Sequence, residues 1–270
     1  MQSKPSSRLV AVFSILVCVA LLAAVTQPYT AKNKTIPPPR QDIGEMAFRE
    51  MDYRKADSIY SAELLKNPSS AELYWKKARI QVSLAEGLDY GNHEERLREF
   101  RKAEEFARKC VSVDSTRSKG HAWLAASLGM MADNIGAKEK LKKANEIKSE
   151  LDKSLRLNPN DETALSILGS YYREASGIGW FKRLMGNTFV GKMPQGNNEL
   201  AEKAFRKAIS IDPRIIRNFH ELALLCLDTG RKQEAVSLLM SGLEKPVLFP
   251  SDRRRIVEMR TLLKKLENKQ

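Results

Sequence analysis

The stretch Leu200-Ala201-Glu-Lys-Ala204-Phe205-Arg-Lys-Ala208-Ile-Ser-Ile-Asp212-Pro213 decides the fold. Ala201, Phe205 and Ala208 stand four and seven positions apart, and Pro213 follows twelve after the first. Residues at those spacings share one face of an α-helix, and a proline just beyond that face ends it. The stretch therefore predicts a helix with a small–bulky–small stripe, closed sharply at its C-terminus. The spacing returns as Ala56, Tyr60 and Pro68, with Glu63 in place of the second small residue. Looser copies are Ala103, Ala107, Cys110 and Ser115; Ile147, Leu151, Ser154 and Pro159; and Ala235, Leu239 and Gly242.

Each stripe has a companion upstream. Gly44, Ala78, Ala125, Gly169 and Ala223 are small residues inside apolar helical patterns, where a larger side chain would push two crossing helices apart. Ala201 and Ala235 are 34 residues apart, the unit length of the tetratricopeptide repeat, whose helical hairpins bury their apolar faces only by stacking. The fold class that follows is all-α: a right-handed helical-hairpin solenoid of about five tetratricopeptide-like repeats over residues 43–250. A C-terminal capping helix over 251–270 pairs Ile256, Met259, Leu262 and Leu263 on one face.

The other spacings are longer: 47 from Ala56 to Ala103, 44 from Ala103 to Ile147 and 54 from Ile147 to Ala201. Glu94 to Cys110 and Lys138 to Leu157 contain no Pro or Gly, so lengthened helices should absorb the first two excesses. The third contains Gly177-Ile-Gly-Trp180-Phe181-Lys-Arg-Leu184-Met185-Gly-Asn-Thr-Phe189-Val190. It reads as a short amphipathic element bracketed by glycines, with Trp180, Phe181, Leu184, Met185 and Phe189 on one face. Two roles fit it: a local cap, or a lid touching membrane or lipid.

A family resemblance rests on these same residues. Gly177-Ile-Gly-Trp180-Phe181, Phe189-Val190-Gly191-Lys-Met-Pro194 and the Leu200–Pro213 helix resemble the regulator of microtubule dynamics proteins. So do Gly120-His121-Ala-Trp123 and the helix from Ile147 to Asp161, and the likeness spans roughly residues 45 to 267. It implies a helical-repeat protein without a catalytic centre, often tethered by an N-terminal apolar segment. It also implies links to microtubules in some members, and to organelle contact sites and phospholipid in one branch.

Leu9 to Val25 is free of charge and follows Lys4 and Arg8. Its 17 residues sit between the length of a short membrane span and that of a signal-peptide core, so residues 1–30 read as an anchor or a signal segment. Residues 31–42, with Pro37-Pro-Pro39, form a stiff linker. Lys and Arg flank both ends of the apolar run, so orientation is open: the repeats would lie in the periplasm of a bacterium or face the cytosol of a eukaryote.

The net charge of +13 permits docking on anionic lipid, acidic protein or nucleic acid. Nucleic acid is the weakest partner, because no reader motif is present. His93, His121 and His220 are scattered, and no phosphate loop, paired carboxylates or nucleophile elbow occurs. An enzyme is not expected, nor a cofactor or metal, and His121 reads as a packing residue. Three cysteines describe no disulfide framework; Cys110 and Cys226 read as buried apolar residues.

Function then falls to the concave face lined by the first helix of each hairpin. Residues one step past the packing stripe should line it: Trp75 and Arg79, Ala126 and Met130, Ser170 and Arg173, Arg217 and Leu224. This set suits an adaptor holding a protein segment, or a phospholipid with its phosphate on Arg173 or Arg217 and its tails on Met130 and Leu224.

Overall fold

Helix boundaries follow the stripes. The computed structural model describes residues 42–135, 137–185 and 196–268, with side chains for all of these but 132–135, 137–142 and 178–185. The chain divides after Gln41, and the unit Asp42–Gln270 holds every described helix. The expected anchor and residues 31–41 of the expected linker, together with Cys18 and Phe189, lie outside the described residues. Among the described residues there are eleven helices and no strand, and no helix long and apolar enough to cross a membrane.

The first hairpin pairs α1 (Ile43–Arg49) with α2 (Tyr53–Lys66), and the second pairs α3 (Ala71–Gly87) with α4 (His93–Val113). The third pairs α5 (Ser118–Ile135) with α6 (Ala137–Leu157), the fourth α7 (Glu162–Met185) with α8 (Asn198–Ile211), and the fifth α9 (Ile216–Asp228) with α10 (Lys232–Leu243). A final helix, α11, runs Pro250–Glu267. The architecture is an array of tetratricopeptide-like hairpins.

The stripes sit at the hairpin crossings. Ala56, Tyr60, Ala103, Ala107, Cys110, Leu151, Ser154, Ala201, Phe205, Ala208, Ala235 and Leu239 have no exposed surface, nor have Ala78, Ala125 and Ala223 on the facing helices. At Gly169 a Cβ would meet the Phe205 ring, and at Gly44 the Tyr60 ring. Glycine is required there because an aromatic from the second helix occupies the space a side chain would fill.

The turns between hairpins repeat one device. The Asp114 carboxylate accepts from the backbone N–H of Thr116 at 2.9 Å, Asn158 Oδ1 from Asn160 at 3.1 Å, and Asp212 from Arg214 at 3.0 Å. These side chains mimic a backbone turn and stop each second helix where the proline or serine follows. The next first helix is then capped: Ser70 accepts from Leu73 N–H at 3.3 Å and Asp161 from Ala164 N–H at 3.1 Å.

The extra residues lengthen helices. α4 and α6 have 21 residues each against 14 in α8 and 12 in α10, as the unbroken helix-forming sequence predicts. The third excess corrects an expectation. Gly177 does not bracket a separate element: α7 runs 24 residues without interruption through Trp180, Phe181, Leu184 and Met185. An internal glycine costs about 1 kcal/mol, too little to stop a helix already packed along its first three turns.

The core lies between layers in three clusters. Phe48, Tyr53, Tyr60 and Ile80 fill the first hairpin and its junction with α3. Phe100, Leu124, Leu128 and Leu151 fill the middle, and Phe205, Leu222, Leu225, Leu239 and Met259 the C-terminal end. Met259 is fully buried, so α11 covers the last hairpin as its apolar face predicts.

Candidate functional site: the inner helix layer

The first helices of the hairpins touch in succession, α3 to α5, α5 to α7 and α7 to α9. α9 then touches α11, and α11 returns to touch α3. From α3 onward the inner layer is thus a closed ring, in which the capping helix joins the fifth hairpin to the second.

The residues expected on the concave face take different places in this ring. Arg173 on α7 and Arg217 on α9 converge on Glu221, whose carboxyl feels both. Trp75 and Arg79 lie apart from them, against the first hairpin. Trp75 Nε1 donates to Glu72 at 2.8 Å, while Arg79 pairs with Glu45 at 2.5 Å and stacks 3.6 Å from the Phe48 ring centre. Ala126 is buried in the middle cluster, and Ser170 is buried with its hydroxyl on the Ser166 carbonyl at 3.3 Å. Met130 and Leu224 are half-buried. Helix α7 carries Trp180, Phe181, Leu184 and Met185, whose side chains lie outside those described.

What the sequence reading missed is the acid that faces these arginines. Arg173 donates to Glu221 at 3.0 Å and to Asp228 at 3.3 Å. Burial alone would raise the Glu221 carboxyl, but Arg173, then Arg217, His220 and Arg255, hold it below the usual range. Glu86, in the last turn of α3, sits 3.3 Å from Arg255 of α11 and accepts from the Ser251 hydroxyl at 3.2 Å. Burial opposes its ionisation too, and Arg255, then Arg217, outweigh it and lower it. Glu162, at the start of α7, accepts from Asn218 Nδ2 at 2.6 Å, and burial raises its carboxyl despite that bond.

Arg217 is therefore the residual charge. Glu86 is bonded to Arg255, Glu221 to Arg173 and Glu162 to Asn218, while Arg217 lies within electrostatic reach of all three. Among the described residues Arg217 makes no hydrogen bond or ion pair, and its Nε is buried without a partner. An arginine fork with open donors in a partly buried setting favours a carboxylate or phosphate, which it can grip with two parallel bonds.

His121 is buried as a packing residue. Its Nδ1 lies 2.5 Å from Glu150 and its Nε2 2.9 Å from the Ser115 carbonyl, tying α5 to α6 and to the preceding turn. Burial raises the thiols of Cys110 and Cys226 to about 11. Among the described residues no group of His, Cys, Asp and Glu could hold a metal.

Known proteins resemble this chain in sequence and in fold. Regulator of microtubule dynamics protein 1 of Pongo abelii is 26% identical over 205 residues, covering 76% of this chain and 65% of that one. The Caenorhabditis elegans protein of the same name is 22% identical over 196 residues, covering 73% of this chain and 85% of its own length. The chain thus spans about 65% of the length of the first of these relatives. Among solved structures, a thermophilic tetratricopeptide repeat protein of Thermus thermophilus matches with a TM-score of 0.58 at 19% identity, over 82% of this chain and 95% of that one. That likeness concerns the fold alone. The family model described as regulator of microtubule dynamics protein 1-3 matches residues 44–267, and the chain belongs to that family.

Proposed function

We propose that this protein is a membrane-tethered, non-catalytic adaptor that binds an acidic segment of a partner protein at its inner helix layer. The observation that carries the reading is Arg217: a half-buried guanidinium with no bond among the described residues, set near carboxylates that are bonded to other groups. A carboxylate on an incoming peptide would complete its coordination, and a charge-assisted pair of that kind is among the stronger polar contacts a protein makes. The family relationship supports a protein-binding role, and the relatives' name makes a microtubule-associated partner one candidate. The apolar run Leu9 to Val25 would supply the tether.

A phospholipid phosphate presents the same chemistry to Arg217, so the test separates the two. The full chain is extracted in mild detergent and examined by native mass spectrometry, as wild type and as Arg217→Gln. A protein partner that dissociates in the variant supports the adaptor reading. Phospholipid at close to one per chain, with no protein partner, overturns it in favour of lipid binding.

A further inference from the structure

The return of the last helix to the second hairpin has its own chemistry. Phe249, just before α11, is partly buried and packs against the cluster of the first hairpin. Two turns on, Arg255 and Ser251 reach Glu86, a contact between residues up to 169 apart in the chain. Arg255 Nη1 also donates to the Ser251 hydroxyl at 2.6 Å. The Asp252 carboxylate accepts from the N–H groups of Leu248 and Phe249 at 3.0 and 2.9 Å, which fixes the first turn of α11. At the rim, Tyr90 is flanked by the guanidinium groups of Arg254 and Arg96, 4.2 and 4.4 Å from its ring centre.

Beyond residue 255 the character of α11 changes. Ile256, Met259, Leu262, Leu263 and Leu266 pack against the apolar end of the last hairpin. The helix is thus held to its own neighbour by continuous apolar packing, and to the first two hairpins by Phe249, the Arg255–Glu86 pair and the Ser251–Glu86 hydrogen bond. An aromatic anchor beside a paired arginine is the make-up of a compact protein-recognition site. A buried ion pair adds little net stability over the separated, hydrated charges, so this seam can open while the apolar core stays closed.

We propose that residues 249–255 are an internal ligand seated on a docking site of the first two hairpins. The site accepts from a partner protein a helix start of the same chemistry: an aromatic residue, a capped first turn, and an arginine six positions after the aromatic. The partner's aromatic replaces Phe249 and its arginine replaces Arg255 on Glu86, so the Glu86 carboxylate is matched again once the partner is seated. Displacement also opens the ring of inner helices. The contacts that seat the segment, through Phe249, Ser251 and Arg255, do not include Arg217.

The test uses the full chain and a fluorescent synthetic peptide of residues 246–268, with binding read by anisotropy. A Cβ at Gly87 would lie 3.6 Å from Pro250 Cβ, within the range a disulfide spans. Gly87→Cys/Pro250→Cys, made in a Cys18→Ser background, therefore locks the internal segment in place when oxidised. The peptide should bind the reduced chain and bind the oxidised chain at least about tenfold more weakly. Peptides with Phe249→Ala or Arg255→Ala should lose a similar factor. Phe249→Ala in the full chain, which loosens the internal segment without new cysteines, should raise affinity for the wild-type peptide. No binding to the reduced chain, equal binding to both redox forms, or an unchanged affinity in the Phe249→Ala chain each overturns the proposal.

Discussion

Gly169→Ala should destabilise the native chain yet stabilise one that already carries Phe205→Ala. A Cβ at position 169 would lie 2.5, 2.6 and 2.7 Å from three atoms of the Phe205 ring, far inside the roughly 3.5–4.0 Å at which carbons attract. Phe205 has no exposed surface, so its ring cannot swing into water and α7 and α8 must separate. Such overpacking costs roughly 1–3 kcal/mol, against a gain of roughly 0.8–1.0 kcal/mol from replacing a mid-helix glycine with alanine. The single change should therefore be destabilising by about 0–2 kcal/mol. Phe205→Ala alone should cost about 3–5 kcal/mol, a large part of the roughly 5–15 kcal/mol that holds a typical domain together. Once the ring is gone the new methyl enters vacant space and only the helix gain remains, so Gly169→Ala should return about 1 kcal/mol. The coupling is thus about 1–3 kcal/mol, within the range of contacting pairs. Urea unfolding followed by far-ultraviolet circular dichroism across the four chains measures it. Gly169→Ala acting with the same sign in both backgrounds would refute the crossing geometry.

The two inner arginines should part company in the same assay. Arg173→Gln strips a paired carboxylate and should cost about 2–3 kcal/mol, whereas Arg217→Gln should cost under about 1 kcal/mol; the reverse order contradicts the assignment of partners. For Glu150, burial alone would raise the carboxyl, but its bonds to His121 and Lys153 lower it. That depressed group contributes stability above the unfolded carboxylate value of roughly 4.3, and the contribution fades as pH falls through the folded value. Glu150→Gln should therefore flatten the acid limb of stability against pH, and an unaltered limb would exclude the pair as its source. Cys110 and Cys226, buried and raised to about 11, should resist iodoacetamide at neutral pH until the chain unfolds. Labelling of the folded Cys18→Ser chain at the rate of an exposed thiol would contradict that placement.

The sequence carries local periodicity well. Ala201, Phe205 and Ala208 announce a crossing because small and bulky residues at helical spacing have few other uses, and Gly169 opposite Phe205 completes the pair. The lengthened α4 and α6 were legible for the same reason, since nothing in them breaks a helix. Gly177 was misleading: a glycine suggests a boundary, but its penalty is small beside the packing along α7. Closure of the ring could not be read at all. Glu86 and Arg255 are ordinary surface residue types 169 positions apart, and only folding shows that each completes the other. Arg173 and Arg217 looked equivalent for a similar reason. Their difference lies in bonding: Glu221 and Asp228 pair with Arg173, while Arg217 feels Glu221 only through space.

The most direct test of the inner layer as a recognition site is the binding of the full chain to a peptide array graded from acidic to basic, with wild type and Arg217→Gln compared. Acidic peptides should bind wild type and lose about tenfold in affinity, or ~1.4 kcal/mol, in the variant, while basic peptides are indifferent to the change. Acidic peptides held equally by both chains would contradict that role.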